Sequence, residues 1–212
     1  MVQAVSRQRQ VQWVLGLTLA LNSLVFVIKL TLGLITGSLS LLADALHSFT
    51  DGASNILGLI SVHFANPEPD WDHPYGHLKF EAVGALAIAA FLGVAGLEIL
   101  RSAIERLLGS ESVDLTISAT SLQFMILVLI INIFVTVYEH REGKRLASRI
   151  LIADARHTLT DVWVTIVVLA GLWGVQQGWL WVDTALTFPV AALVFWSAWE
   201  VLRENLPVLT DR

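Results

Sequence analysis

Cysteine is absent from the 212-residue chain, and charged residues make up only 15% of it. The lack of cysteine excludes disulfide bonds and thiolate metal sites, although it does not identify the compartment. The net charge of −5 and the pI near 5.6 argue against a nucleic-acid partner. Hydrophobic residues reach 55% and the mean hydropathy is +0.68, more than a soluble domain of this length needs. The composition therefore indicates a membrane protein.

The chain contains six long apolar segments of similar length. Each segment supplies the ~20 residues that cross a hydrocarbon core of ~30 Å. The stretches between them are rich in glycine, proline and charge, as expected of connecting loops. We therefore predict an all-α membrane protein with one six-helix transmembrane domain over residues 1–212. The predicted spans are residues 11–35, 39–64, 80–107, 115–139, 147–174 and 182–203.

Basic residues predict the orientation of these spans. An even number of spans places both termini on one face of the membrane. If that face is cytoplasmic, it receives nine lysines and arginines, and the opposite face receives two. The nine are Arg7, Arg9, Lys79, Arg141, Lys144, Arg145, Arg149, Arg203 and Arg212, and the two are Arg101 and Arg106. This asymmetry follows the positive-inside rule, so both termini are predicted to be cytoplasmic.

One polar sequence occurs twice within the apolar segments. "LLADALHSFTD" occupies residues 41–51 on the second predicted span, and "LIADARHTLTD" occupies residues 151–161 on the fifth. Each copy carries Asp, His and Asp at offsets of three and four residues, so each trio shares one helical face. The residues are Asp44, His47 and Asp51 in the first copy and Asp154, His157 and Asp161 in the second, and Asn55 continues the first stripe.

The two copies are predicted to face each other near the centre of the membrane. Each histidine lies about nine residues into its span, which is roughly 14 Å at the helical rise. Three spans separate the copies, so their helices run in opposite directions, as in inverted-repeat transporters. Each histidine then lies level with the aspartate of the other helix. Two imidazoles and two carboxylates suit tetrahedral Zn²⁺, so we predict a metal site of His47, Asp51, His157 and Asp161.

A structural role is the alternative for either copy by itself, because a His–Asp pair in a membrane helix can form a buried hydrogen bond. Acids are costly to place in lipid, and two copies at matching depth favour a functional ion site. Asp44, Asp154 and Asn55 are predicted to lie beside the site rather than to act as primary ligands. Lys29, within the first span, is predicted to snorkel or to find an interior partner.

These features resemble the cation diffusion facilitator family of divalent-metal transporters, over the whole six-helix region. The resemblance rests on the two His-x-x-x-Asp motifs, on "HPYGHLKFE" before the third span and on "GKRLASRILIADARHTLTD" leading into the fifth. It implies a zinc-type member whose transport site is His47, Asp51, His157 and Asp161, with Cd²⁺, Co²⁺, Mn²⁺ and Fe²⁺ as alternative cargoes. From the charge of the site we also predict proton antiport by alternating access. We expect a homodimer in a lipid bilayer, either a bacterial inner membrane or an organellar or plasma membrane.

The loop between the second and third spans carries a second candidate metal site. Asp70, His73 and His77 place one carboxylate and two imidazoles close together, and some family members have a peripheral site at matching positions. The alternative is a polar loop that only starts a helix. Relatives usually continue into a cytoplasmic ferredoxin-like domain, whereas this sequence stops at "PVLTDR". It is either a naturally short form or the membrane part of a longer chain.

Three functions are open at this point, and one of them, a non-transporting partner subunit, is disfavoured by the full set of four candidate ligands. A proton-coupled exporter of Zn²⁺ is favoured by the paired motifs. A membrane-embedded metallohydrolase is the alternative, and it would need an activated water, a general base and a substrate cleft. The sequence has no HExxH-type motif, so we predict a secondary active transporter rather than an enzyme.

Overall fold

The computed structural model describes residues 2–64, 78–109 and 115–209, and at some helical positions, Asp51 and Asn55 among them, only the backbone. The described ranges contain six α-helices and no strand. The helices are α1 (Val2–Thr36), α2 (Leu39–Phe64), α3 (Leu78–Leu107), α4 (Ala119–Arg145), α5 (Arg149–Gln176) and α6 (Trp181–Leu209). The all-α prediction is confirmed. Several helices extend beyond the predicted spans, because polar residues continue the helix past the ends of the apolar segment.

Five helices in the described ranges are long and apolar enough to cross a membrane. They contain the candidate spans Arg9–Thr36, Val83–Leu107, Ala119–Arg145, Arg149–Gln176 and Trp181–Arg203. Large apolar side chains cover the outside of the bundle, and they include Phe91, Ile130 and Trp196, all more than half exposed. Such a surface is stable only against lipid or another apolar partner. The protein is therefore an integral, multi-pass membrane protein.

Hydrogen bonds to one buried acid fix the relative direction of the helices. Asp183, near the start of α6, accepts from Ser38 Oγ at 2.6 Å and from the backbone N–H of Leu39 at 3.0 Å. The start of α2 therefore lies beside the start of α6. Because α5 ends only a short turn before α6 begins, α2 and α5 run antiparallel. The carboxylate also supplies acceptors for the otherwise unsatisfied first turn of α2.

Further contacts bring α1, α3 and α4 to the same end of the bundle. The guanidinium of Arg106, at the end of α3, donates to the carbonyl oxygen of Gly37 at 2.9 Å and lies 3.6 Å from Asp183. Gly37 has a φ of +72°, a conformation that favours glycine. The backbone N–H of Thr116, before α4, donates to the carbonyl oxygen of Thr36. The six helices thus alternate in direction.

Close helix packing extends the sequence repeat beyond α2 and α5. A Cβ atom on Gly33 of α1 would lie 2.7 Å from the Leu42 side chain of α2. A Cβ atom on Gly143 of α4 would lie 2.9 Å from the Ile152 side chain of α5. Both pairs are related by the same 110-residue offset that relates His47 to His157. The α1–α2 and α4–α5 hairpins are therefore equivalent units of the fold.

Candidate metal transport site

The two polar motifs meet between α2 and α5. Nε2 of His47 lies 3.5 Å from Oδ1 of Asp161, and both side chains are buried. The ring centroids of His47 and His157 are 6.3 Å apart. The histidine of α2 thus lies level with the aspartate of α5, as the antiparallel direction of the helices requires. Two imidazoles and one carboxylate share one region of the bundle interior.

Ser197 of α6 contacts the other side of the His47 ring. Its Oγ lies 3.5 Å from Nδ1 of His47, and the hydroxyl is buried. A partner at Nδ1 helps to orient the imidazole with Nε2 toward Asp161, as partners behind metal-ligating histidines do. Sequence analysis missed Ser197, because a lone serine in an apolar helix carries no periodic signal.

The remaining predicted ligands lie outside the described part. Asp51 falls on α2, one turn after His47, but its side chain and that of Asn55 are not among the described groups. Asp70, His73 and His77 belong to residues 65–77, which are also outside the described residues. Among the described side chains, no group of three or more His, Asp or Glu residues is placed to hold a metal ion. The assignment of His47, Asp51, His157 and Asp161 as transport ligands therefore stays a prediction, and so does the peripheral site.

Asp44 is paired with a lysine from α1. Nζ of Lys29 lies 2.8 Å from Oδ1 of Asp44 and 2.9 Å from Oγ of Ser48, and all three side chains are buried. Of the two predicted arrangements for Lys29, the structure therefore shows the interior partner. The ammonium of Lys29 balances the charge of Asp44. This carboxylate therefore lies beside the site but already has a partner from the protein itself.

Asp154, the equivalent acid on α5, lies near another acid. Glu139 of α4 is fully buried and interacts electrostatically with Asp154, which is partly exposed. The hydroxyl of Thr158 donates to Oε2 of Glu139 at 3.2 Å and lies 3.1 Å from the backbone carbonyl oxygen of Asp154. Sequence analysis missed Glu139. The available signal was its position 110 residues after Lys29.

Comparison with known proteins identifies the bundle that holds these residues. A family model described as the cation efflux transmembrane domain matches residues 15–210. The chain belongs to the cation efflux family. The predicted resemblance is thereby confirmed. Members of the cation efflux family are transporters and not enzymes, which removes the metallohydrolase alternative.

Three relatives show how far the similarity extends. The uncharacterized transporter MJ0449 of Methanocaldococcus jannaschii is 33% identical over 204 residues, which cover 96% of this chain and 71% of the relative. The manganese efflux system protein MneS of Bacillus subtilis is 32% identical, with 87% and 63% covered. The zinc transporter ZitB of Yersinia pestis is 31% identical, with 91% and 61% covered. The cation efflux chain thus spans 61% to 71% of the length of these relatives.

Proposed function

We propose that this cation efflux domain transports a divalent metal ion through the site between α2 and α5, with Zn²⁺ as the preferred cargo. The observation that carries the proposal is the 3.5 Å approach of His47 Nε2 to Asp161 Oδ1, with the ring of His157 beside it. A buried imidazole nitrogen and a carboxylate oxygen from antiparallel helices are donors that Zn²⁺ accepts, which supports the proposal. Asp51, on the same face of α2 as His47, is proposed as the fourth ligand.

The choice of metal depends on the donor atoms. Imidazole nitrogen suits zinc, whereas Mn²⁺ prefers carboxylate, carbonyl and water oxygens. Two histidines among four ligands therefore favour Zn²⁺. Manganese is the second candidate, because one relative is named as a manganese efflux protein and another as a zinc transporter.

The proposed topology has α2 as a sixth span and both termini in the cytoplasm. Positive charge concentrates at the end of the bundle where α1, α3 and α5 begin, which supports this orientation. The Asp183 contacts then face the outside of the cell or organelle. The homodimer stays a prediction.

Charge balance supports exchange of the metal for protons. Zn²⁺ with two neutral histidines and two ionised aspartates sums to zero, so the loaded site crosses between states without a net charge. Without metal the same four groups carry −2 near the midplane, where even one charge costs at least ~2.5–3.5 kcal/mol. Uptake of up to two protons restores neutrality, and metal binding releases them again.

Replacing Asp161 with alanine tests the site. The change removes a charged ligand, so zinc flux into proteoliposomes is expected to fall to background. Glu105→Gln is the matched control, because Glu105 is an acid whose partner is the exposed Arg101 at 2.8 Å, on the surface of α3. Both variants must elute as folded protein in size-exclusion chromatography. Near-normal flux through folded Asp161→Ala protein would contradict the proposed site.

Clamping the pH gradient and the membrane potential separately tests the coupling. Exchange of one zinc for two protons is electroneutral, so zinc flux should follow the pH gradient and respond little to the potential. Ionophores set each gradient independently in the same proteoliposomes. Flux that follows the potential and ignores the pH gradient would indicate a uniporter or a channel.

A further inference from the structure

The buried carboxylate of Asp183 connects three helices at one end of the bundle. Its Oδ1 accepts from the hydroxyls of Ser38 and Ser40, both at 2.6 Å, and from the backbone N–H of Ser40 at 3.3 Å. Its Oδ2 accepts from the backbone N–H of Leu39 at 3.0 Å and lies 3.6 Å from the guanidinium of Arg106. We call Asp183, Ser38, Ser40 and Arg106 the Asp183 cluster. It fixes the start of α2 to α6 and to the end of α3.

A layer of apolar side chains lies between this cluster and the proposed transport site. Four fully buried members of one hydrophobic cluster form this apolar layer, and they are Leu41 of α2, Met125 of α4 and Val168 and Leu172 of α5. Leu41 precedes His47 by six residues and Val168 follows Asp161 by seven, or about 9 and 10.5 Å along the two helices. A bare ion is strongly disfavoured in apolar surroundings. The apolar layer therefore separates the site from the end of the bundle where α2 begins.

A cleft lies on the far side of the apolar layer. It has a volume of about 320 Å³, opens to the surface, and is lined by residues just before α4 and at the end of α5, namely Leu115, Thr116, Ile117, Ser118, Val175 and Gln176. Ile117 also packs against the hydrophobic cluster that contains the apolar layer. Hydroxyl and amide oxygens in the cleft are groups that a hydrated cation accepts. The site, the apolar layer and the cleft thus follow one another along α5.

Helix α6 holds the neighbouring ends of α2 and α5 together. It contacts α2 through Asp183, and it packs closely on α5, where a Cβ atom on Gly171 would overlap the Leu186 side chain. The end of α2 can therefore move away from α5 only if one of these two contacts separates. Separation of α5 from α6 would expose apolar surface to water. Water can replace the hydrogen bonds of the Asp183 cluster, so this cluster is the contact that opens more easily.

We propose that the Asp183 cluster is the outer gate of the transport pathway. When the cluster opens, the start of α2 moves away from α5, Leu41 separates from Val168, and metal and water pass between the site and the cleft. The backbone N–H of Leu41 donates at 3.1 Å to the same Ser38 hydroxyl that donates to Asp183, so the cluster and the apolar layer close together. The inference rests on the proposed transport function and orientation.

Thiol labelling tests the gate, because the chain has no cysteine of its own. Val168→Cys places one thiol in the apolar layer, and a charged, membrane-impermeant thiosulfonate reagent is added to proteoliposomes of the full chain. Gln177→Cys, at an exposed position beyond the end of α5, measures the fraction of molecules that present this end to the reagent. We expect Val168→Cys to react at least about tenfold more slowly than Gln177→Cys, because the apolar layer excludes water.

Opening the Asp183 cluster should remove this protection. Asp183→Asn keeps the shape of the side chain and removes its charge, so it should speed the labelling of Val168→Cys roughly tenfold, since hydrogen bonds to a charged group are the stronger ones. Ser40→Ala removes one donor, and it should speed labelling by a smaller factor. Glu105→Gln is the matched control, because Glu105 is an acid near the same end of α3 whose partner is the exposed Arg101. It should leave the labelling rate unchanged.

Two results would overturn the gate. One is labelling of Val168→Cys as fast as that of Gln177→Cys, which would mean that the apolar layer does not close the pathway. The other is an unchanged labelling rate in the folded cluster variants, and Ser40→Ala decides this point by itself if Asp183→Asn does not elute as folded protein. Failure of the transport site looks different, since Asp161→Ala would then keep normal zinc flux while the labelling pattern stayed as expected.

Discussion

The α1–α2 and α4–α5 hairpins use the same positions for packing and different positions for charge. Gly33 and Gly143 allow the same close approach of two helices. The hydroxyls of Ser38 and Ser148 each accept a hydrogen bond from the backbone N–H of the third residue after them. The hairpins diverge one turn from the histidines, where the first has an ion pair and the second has two acids. The shared positions hold the two motifs together, and the different ones make the charge on the two sides of the proposed transport site unequal.

Replacing Lys29 with methionine should have the largest effect on stability. The substitution leaves Asp44 buried without its partner, and breaking such a pair costs about 3–5 kcal/mol. Glu139→Met at the equivalent position should not destabilise the fold, because it relieves the repulsion with Asp154. Thermal unfolding in detergent, followed by loss of the folded peak in chromatography, measures both variants.

A double substitution separates charge from shape in this comparison. Lys29→Met combined with Asp44→Leu removes both charges and should recover most of the lost stability, since apolar replacement of a whole buried pair is often neutral. If Lys29→Met and Glu139→Met destabilise equally, the two positions act only through packing, and the proposed difference between the hairpins is wrong.

Alanine at the two equivalent glycines should have a smaller and unequal effect. At Gly143 the new Cβ would meet the Ile152 backbone nitrogen and the Leu151 Cβ, both at 3.1 Å, and these atoms cannot move easily. At Gly33 the two nearest atoms belong to the Leu42 side chain, at 2.7 and 2.9 Å, and one backbone atom, the Leu42 nitrogen, follows at 3.2 Å, so fewer fixed atoms oppose the new Cβ there. We expect Gly143→Ala to cost about 1–2 kcal/mol, whereas at Gly33 the gain in helix propensity of about 1 kcal/mol offsets the contact. Equal shifts in the unfolding temperature of the two variants would show that both hairpins accommodate the added Cβ equally well.

Aspartate in place of either histidine should have the smallest effect, a change of metal preference. Carboxylate oxygen suits harder ions, so His47→Asp and His157→Asp should each shift competition between Zn²⁺ and Mn²⁺ several-fold toward Mn²⁺. Proteoliposome flux with the competing metal present measures the shift. Equal shifts would show that the two hairpins contribute equally to selectivity. A shift in only one variant would assign selectivity to that hairpin, and none in either would place it elsewhere.

The sequence by itself determined the helical class, the positions of the six helices, the repeated motif and the family. These features depend on the length of apolar runs and on the spacing of residues along the chain. An apolar run of sufficient length predicts a helix in lipid, because a backbone without water must satisfy its own hydrogen bonds. Offsets of three and four residues place Asp44, His47 and Asp51 on one face whatever the helix packs against. The opposite directions of α2 and α5 follow from counting the spans between them.

Only the tertiary structure decided which side chains meet across helices. The partner of Lys29, the contact of Ser197 with His47 and the approach of Glu139 to Asp154 all depend on how each helix is rotated about its axis and which neighbour it faces. A single polar residue in an apolar span has no periodicity that could reveal this. The packing of α1 on α2 and of α4 on α5 fixes the rotation of each helix about its axis. It therefore also fixes which charged groups meet in each hairpin, although the two hairpins share one sequence motif.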